Sequence, residues 1–348
     1  LESSDLVRDK EIGVSVVMPV FNVDKFLGEA IESVLNQTFE DFELILVNDG
    51  STDSSAAICK RYLALHARVR FLDQPNLGVS AARNRGMENA EGKYIYFMDS
   101  DDTIDKDFLR NSYCIGEKSD ADIVVLGEYY INRLPDPPAL PGWAMLIRRN
   151  FIKDNPIVCF PNDIQPCEDG LFSHQLLALT NRIGSTADAL YFYRKHDEQN
   201  HQAINKQADK LLKQIPQWFA VLENFYTHYS LYLNKSLHLA RFLEHEPFEF
   251  RYLGMPLNLK QKEYLFHTIH KYFDSHVNPY LSAMDYKKLS VPFQLFLQSK
   301  SSIEFDDRYR EYCNKTAIRR KIVLFAAKFI PFSSLRRRVR QKINARLR

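Results

Sequence analysis

The first 130 residues repeat one pattern: a short, nearly unbroken apolar run, a polar turn, then an amphipathic stretch. Gly13-Val14-Ser15-Val16-Val17-Met18 predicts a buried strand, ended by Pro19, which has no N–H for a ladder. Pro19-Val20-Phe21-Asn22 follows as a turn. Asp24 then stands where an N-cap would, before a helix with Leu27, Ala30, Ile31, Val34 and Leu35 on one face. Phe42–Val47 predicts a second strand, Asn48–Asp53 a polar turn, and the following residues a helix to about His66. Val69–Leu72 predicts a third strand, Asn76-Leu77-Gly78 a turn, and Val79 to about Asn89 a helix. Tyr94-Ile95-Tyr96-Phe97-Met98 then runs into Asp99-Ser100-Asp101-Asp102. A further helix at Phe108-Leu109 and a strand at Asp122–Leu126 close the series.

Apolar strands alternating with helices predict an α/β fold, a mostly parallel Rossmann-like sheet with helices on its faces. Such a fold brings the turns that follow the strands to one edge, where open α/β sheets bind ligands. Three carboxylates within four positions repel one another, and a hard divalent cation is the usual reason to gather them. The alternative is a solvated acidic turn with Asp102 capping the next helix.

Further along, Leu134–Gly142 holds four prolines and predicts an irregular excursion near the mouth, placed to meet a second substrate. Glu168-Asp169 opens a helix to about Leu179, and Ala189–Tyr193 predicts a strand ending in Arg194-Lys195-His196. From about Asn200 the pattern is helical. The expected division is a lead-in over 1–12, a catalytic domain over 13–205, a helical domain over 206–317 and a basic tail over 318–348.

Charge changes the picture at the end of the chain. The net charge of the 348 residues is +2, yet Arg319–Arg348 carries eleven Lys/Arg and no acid. The other 318 residues then hold 35 basic against 44 acidic residues, a net of −9. Ile318, Ile322, Phe325 and Phe329 form one apolar stripe. After Pro331, Leu335, Val339, Ile343 and Leu347 form another, with seven basic residues around it. Basic amphipathic helices of this kind lie in the headgroup plane of anionic membranes. The alternative is a solvated basic helix packed on the acidic remainder. Nothing supports a nucleic-acid partner. Five scattered cysteines without a C-x-x-C pair fit a reducing compartment, and no apolar run reaches the roughly 18 residues of a spanning helix. The expected location is cytoplasmic, peripheral to the inner face of the cell membrane. Oligomeric state is left open.

Six stretches together resemble family 2 glycosyltransferases of the GT-A fold. They are Val16–Asn22, Val47–Asp53, Asn76–Asn84, Asp99–Asp102, Glu168-Asp169 and Tyr193–His196. The likeness covers about residues 13–200 and is strongest to bacterial enzymes adding single sugars to lipopolysaccharide, capsule or teichoic acid. It implies a UDP-sugar donor, a glycan or lipid-linked saccharide acceptor, and Mn²⁺ or Mg²⁺. It implies donor-nucleotide contacts at Pro19, Val20, Phe21, Asn22, Asp49, Asn76, Gly78, Arg83, Asp99 and Ser100. The metal is expected at Asp101 and His196, phosphate or lid contact at Arg194, a sugar contact at Glu168, and the base of an inverting transfer at Asp169.

The residues admit alternatives. Asp49 can accept from a uracil N3–H or build a turn with Gly50. Phe21 can face the base or pack in the core. Arg83 can meet phosphate or lie on the helix surface. Glu168 and Asp169 can be ordinary first-turn acids; their side chains start about 100° apart, which argues against a shared proton. His196 can be a structural hydrogen-bonder. Processive members carry Q-x-x-R-W, whereas Gln214-Ile215-Pro216-Gln217-Trp218 has Gln for Arg, so single-sugar transfer is expected. Competing functions are transfer to a polyprenyl phosphate, a nucleotidyltransferase, and a non-catalytic binding or assembly protein.

Overall fold

The computed structural model describes residues 12–135, 137–195 and 207–326. The lead-in, His196 and the tail from residue 327 lie outside the described residues. In chain order the elements are β1 (Val14–Val20), α1 (Asp24–Leu35), β2 (Phe42–Asp49), α2 (Ser55–Leu65), β3 (Val69–Gln74), α3 (Val79–Glu88) and β4 (Tyr94–Phe97). Then come β5 (Thr103–Ile104), α4 (Phe108–Lys118), β6 (Ile123–Leu126), α5 (Glu128–Ile131), β7 (Met145–Arg148), α6 (Arg149–Lys153), α7 (Glu168–Leu179), β8 (Ile183–Thr186) and β9 (Tyr191–Phe192).

Seven strands form one sheet in the order β3-β2-β1-β4-β7-β6-β8, and β5 pairs with β9 in a small second sheet. The neighbours of β1 and β2 are all parallel, as the apolar runs predict. β7 enters antiparallel between β4 and β6, while β6 and β8 are parallel. β6 and β7 are therefore the arms of a hairpin, and the chain between them, 127–144, starts and ends on the edge where β1, β2 and β4 finish.

β1, β2 and β4 are buried on both faces. One face packs Val14, Val16, Met18, Leu44, Tyr94 and Tyr96 against Leu27, Ile31 and Val34 of α1 and Phe108 of α4. On the other, α3 sits directly on β1. A Cβ at Gly86 would lie 2.2 Å from Val17 Cγ1, so only glycine allows this approach. The contact fixes the height of α3 and hence of Arg83, one turn nearer the mouth.

Two local expectations are corrected. Pro19 does not end β1, which continues to Val20. It lies past Val17, the last residue paired with β4, on a stretch paired only with β2, where a missing N–H costs little. Asp24 is not an N-cap; Val23 holds that place, and Asp24 is the first helical residue.

The contacts divide the chain into two compact units, Leu1–Glu246 and Pro247–Arg348, where the sequence pattern suggests a division at 205/206. Helices Ala208–His228 and Tyr232–Leu243 belong to the first unit; Tyr226 in the former meets His174 of α7 at 2.9 Å. The second unit holds helices Leu259–His276, Ala283–Tyr286, Val291–Gln298 and Ser302–Ala326 around Phe248, Phe293, Phe296 and Phe305. Among the described residues, no helix is long and apolar enough to cross a membrane.

Candidate active site

The polar turns after β1, β2 and β3 interlock. Asn22, at φ +48°, accepts from Thr52 N at 2.7 Å, while its own N–H reaches Ser51 Oγ at 3.1 Å. Val23 N donates to Ser55 Oγ at 2.9 Å and Asp24 N to Asp53 at 3.0 Å. The turns after β1 and β2 and the start of α1 line a cavity of about 340 Å³, with Asn22, Lys25, Phe26, Thr52 and Asp53 on its wall. Phe21 is 43% exposed, so it is not a core residue and presents an open apolar face. Pro19 and Val20 are buried in β1.

Asp49 is buried at the end of β2. Its carboxylate accepts from Gln74 Nε2 at 2.8 Å and from the backbone N–H groups of Leu77 and Gly78, each at 2.9 Å. Both Gly78 (φ +89°) and Gly50 (φ +71°) occupy the left-handed region. A Cβ on Gly50 would lie 2.6 Å from Asn76 N, so this turn presses against the next one. Asp49 thus spends three of its roughly four acceptor directions on fixing the entry to α3. These three bonds tie it to the end of β3 and the turn that follows, not to a turn with Gly50, and one direction is left.

That entry aims Arg83. The residue is buried, which rules out a surface role. Its guanidinium meets Asp169 Oδ1 at 2.6 Å, Asp99 Oδ1 at 2.9 Å and Glu168 Oε1 at 3.3 Å, and lies 5.3 Å from the Phe160 ring centre. Burial works against its charge, but Asp169, Asp99 and Glu168 more than offset this and hold its pKa above the usual value. Asn84, the next residue, grips Phe160 from both sides: Nδ2 donates to its carbonyl at 2.8 Å and Oδ1 accepts from its N–H at 2.9 Å.

Three carboxylates share one cation, so the cluster is electronegative. Burial, then the neighbouring Asp169 charge, push Glu168 up to about 7 against the pull of Arg83. Desolvation raises Asp99 as well, with Arg83 opposing, although 32% of its side chain opens to the mouth. Glu168 and Asp169 leave α7 in different directions, yet the extra methylene of Glu168 lets both reach the same nitrogen, Nη1. Asp169 Oδ2 accepts from Gly142 N at 3.1 Å, and 22% of its side chain remains exposed.

Asp102 is buried and does not cap a helix; Asp107 holds that position for α4. Asp102 accepts from Tyr191 OH and, at 2.7 Å, from Arg194 N. Burial raises it to about 6, with these two hydrogen bonds opposing. Arg194 Nε donates to the Asp101 carbonyl at 2.8 Å, its Nη2 meets Glu29 of α1 at 2.5 Å, and its guanidinium stands 5.1 Å from the Phe26 ring centre. Arg194 therefore clasps the acidic stretch to α1. Ser100 lies in that stretch, and Asn76 sits at the turn against Gly50. Gly142 N, Tyr191 and Phe160 escaped the sequence analysis. A glycine closing a proline run was the one signal for the first; Tyr191 was visible only as part of the strand expected over Ala189–Tyr193, and Phe160 carried no signal.

Among the described residues no three His, Cys, Asp or Glu are grouped to hold a metal. Mg²⁺ and Mn²⁺ need only one or two protein carboxylates when phosphate oxygens complete the shell. Asp99 is engaged by Arg83, and Asp102 by Tyr191 and Arg194.

The family model for glycosyl transferase family 2 matches residues 15–166. The "uncharacterized glycosyltransferase EpsJ" of Bacillus subtilis (strain 168) is 32% identical over 248 residues, 63% of this chain and 71% of that protein. The "minor teichoic acid biosynthesis protein GgaA" of the same strain is 35% identical over 217 residues, 53% of this chain and 48% of that protein. The matches to two other curated relatives cover only 17% and 39% of those proteins. Among solved structures, Staphylococcus aureus TarS 1–349 in complex with UDP-GlcNAc superposes with a TM-score of 0.66 over 86% of this chain and 92% of that one. At 20% identity it shows the shared fold.

Proposed function

Since this chain belongs to glycosyl transferase family 2, we propose that it moves a single sugar from a UDP-sugar to a hydroxyl of a cell-surface glycan or lipid-linked saccharide, with inversion at the anomeric carbon. The observation that carries the reading is Asp169. It is a partly open carboxylate at the mouth of the parallel strands, oriented by Arg83 on one oxygen and by Gly142 N on the other.

The acceptor oxygen attacks the anomeric carbon, the bond from that carbon to the diphosphate breaks, and UDP leaves with the electron pair. Asp169 takes the hydroxyl proton, a role worth about 10²- to 10⁴-fold in rate. The nucleotide lies along the interlocked turns, with Phe21 beside the base and the remaining acceptor direction of Asp49 toward its N3–H. Pro19, Val20, Asn22, Asn76 and Gly78 shape that wall. Arg83, Asp99 and Glu168 form a polar floor for the donor sugar. Glu168, raised to about 7, can accept or donate to a sugar hydroxyl near neutrality. Asp101 would hold a divalent cation, with His196 a second ligand from outside the described residues; when bound, that ion neutralises charge on the departing diphosphate. Arg194 fixes the Asp101–Asp102 turn.

Trp218 is buried in helix Ala208–His228 and Gln214 accepts from Gln165 N at 3.0 Å. That stretch serves packing here, which supports transfer of one sugar over processive synthesis. Membrane attachment through the basic tail is part of the same proposal. Ile318 and Ile322 are exposed at the end of the last described helix, beside Arg319 and Lys321.

The test is UDP release from a panel of UDP-sugars, beginning with UDP-N-acetylglucosamine, in Mn²⁺, Mg²⁺ or EDTA. Metal-dependent release from one donor supports the reading. Asp169→Asn should keep UDP binding and lower release at least 100-fold; full turnover would overturn Asp169 as the base. Absence of both release and UDP binding would favour a non-catalytic binding protein.

A further inference from the structure

The proline-rich excursion is not a free loop. Three of its backbone groups, at alternate residues, are tied to side chains of α7. Gly142 N donates to Asp169 Oδ2 at 3.1 Å, Leu140 N donates to Ser173 Oγ at 2.8 Å, and the Pro138 carbonyl accepts from His174 Nδ1 at 2.8 Å. Because a carbonyl only accepts, the proton of His174 is on Nδ1, and Nε2 accepts from Tyr226 OH at 2.9 Å. Burial, with His238 stacked at 4.1 Å, holds the pKa of His174 well below its usual value, which keeps it neutral.

The spacing explains the lacing. Two extended residues advance about 6.6 Å and four helical residues about 6 Å, so 142 to 140 runs in step with 169 to 173. The longer His174 side chain takes the third rung. Ser173 and His174 are fully buried on a helix that also buries Leu171, Phe172, Gln175, Leu176 and Leu177. Buried polar groups are costly unless hydrogen-bonded, and here each has one bond to the backbone of this segment, beside Ser173 Oγ donating to the Gly170 carbonyl at 3.2 Å and His174 Nε2 meeting Tyr226 OH. The next residue, Trp143, stacks on Tyr191 at 4.4 Å and 7°, and Tyr191 donates to Asp102.

We propose that Pro138–Gly142 is a strap that sets the rotation of the Asp169 carboxylate, and that Ser173, by holding Leu140, is a positioning residue for transfer. Arg83 pins one oxygen and the end of the strap pins the other. A carboxylate held at both oxygens presents a fixed lone pair to the acceptor hydroxyl. The inference rests on Asp169 acting as the base. Ser173 touches no substrate and works through the strap.

The experiment uses the full chain, with UDP-N-acetylglucosamine as donor and UDP release as readout. Ser173→Ala is expected to lower kcat about tenfold, since small misplacements of a reacting group are costly. Donor KM and UDP Kd should stay within about twofold, because Ser173 only positions the base. On an Asp169→Asn background, Ser173→Ala should leave the residual rate unchanged, since it has no carboxylate left to orient. Unchanged kcat in folded Ser173→Ala, or the same tenfold loss on the Asp169→Asn background, overturns the strap. Ser173→Cys keeps the side-chain shape in a slightly larger group and weakens the hydrogen bond. It should show the same split in smaller measure and serves if the alanine variant does not fold. If Asp169→Asn itself keeps full turnover, the base assignment fails, a result separate from either strap outcome.

Discussion

Replacing Arg83 by methionine removes the positive centre that three carboxylates share. Removing one partner of a buried ion pair costs about 3–5 kcal/mol, because the other is left uncompensated. Here Asp99 and Asp169 are 32% and 22% exposed, so water recovers part of the loss and the lower end applies. For a unit of this size 1 kcal/mol shifts Tm by about 2–4 °C, so the melting point at pH 8 should fall by roughly 6–12 °C. The pH dependence follows from the sign of the shifts. Without Arg83 the pull that opposes the burial of Asp99 and Glu168 is gone, so their folded pKa values lie further above their unfolded ones. Stability is then retained at low pH and lost as pH rises through the raised values. The gap between wild type and Arg83→Met should therefore be small at pH 5 and widest at pH 8. Arg83→Lys keeps the charge without the planar fork and should recover only part of it. Thermal melts by circular dichroism across pH 5–8 measure this. An equal drop at both ends of the range, or none at pH 8, would refute the shared-cation account.

Glu168→Gln tests the same cluster from the acidic side. Its folded pKa of about 7 lies above its ordinary 4.5, so wild type should lose stability on the order of 1–3 kcal/mol between pH 4.5 and 7 through this group. The glutamine variant should have a flatter pH profile, with Asp102, raised to about 6, supplying what slope remains; an unchanged slope would contradict the assignment. The basic tail should bring the full chain down with anionic liposomes at low salt and release it at high salt, and a chain ending at Thr316 should stay in the supernatant. Failure of the full chain to bind under those conditions removes the membrane proposal.

The parallel half of the fold was legible because β1, β2 and β4 are buried on both faces, so their apolar runs stand out against the polar turns. β7 and β8 were not. Met145–Arg148 is four residues after a proline run, and Ile183–Thr186 includes a glycine and two polar residues. Their pairing comes from neighbours far along the chain. The acids of the site were visible as residue types at strand and helix ends. Their connection was not, since Arg83 meets partners 16, 85 and 86 positions away. Helical periodicity places Arg83 on α3 but does not say what the sheet presents to it. A cap was the alternative for Asp102, because a carboxylate before a helix suits that role; Tyr191 OH, 89 residues later, takes it instead.

The hairpin origin of the strap bears on how such a chain can diversify. Segment 127–144 leaves the sheet from β6 and returns through β7 at the same edge, so lengthening it leaves every strand register in place. Loop closure grows slowly with length, about 0.6 kcal/mol per doubling. The donor side has no such latitude: Gly50 against Asn76 and Gly86 against Val17 leave no room for even one added carbon. Inheritance can therefore act unequally on the two halves of one cleft, trying out new walls beside Asp169 while the packed turns after β2 and β3 are transmitted nearly unaltered.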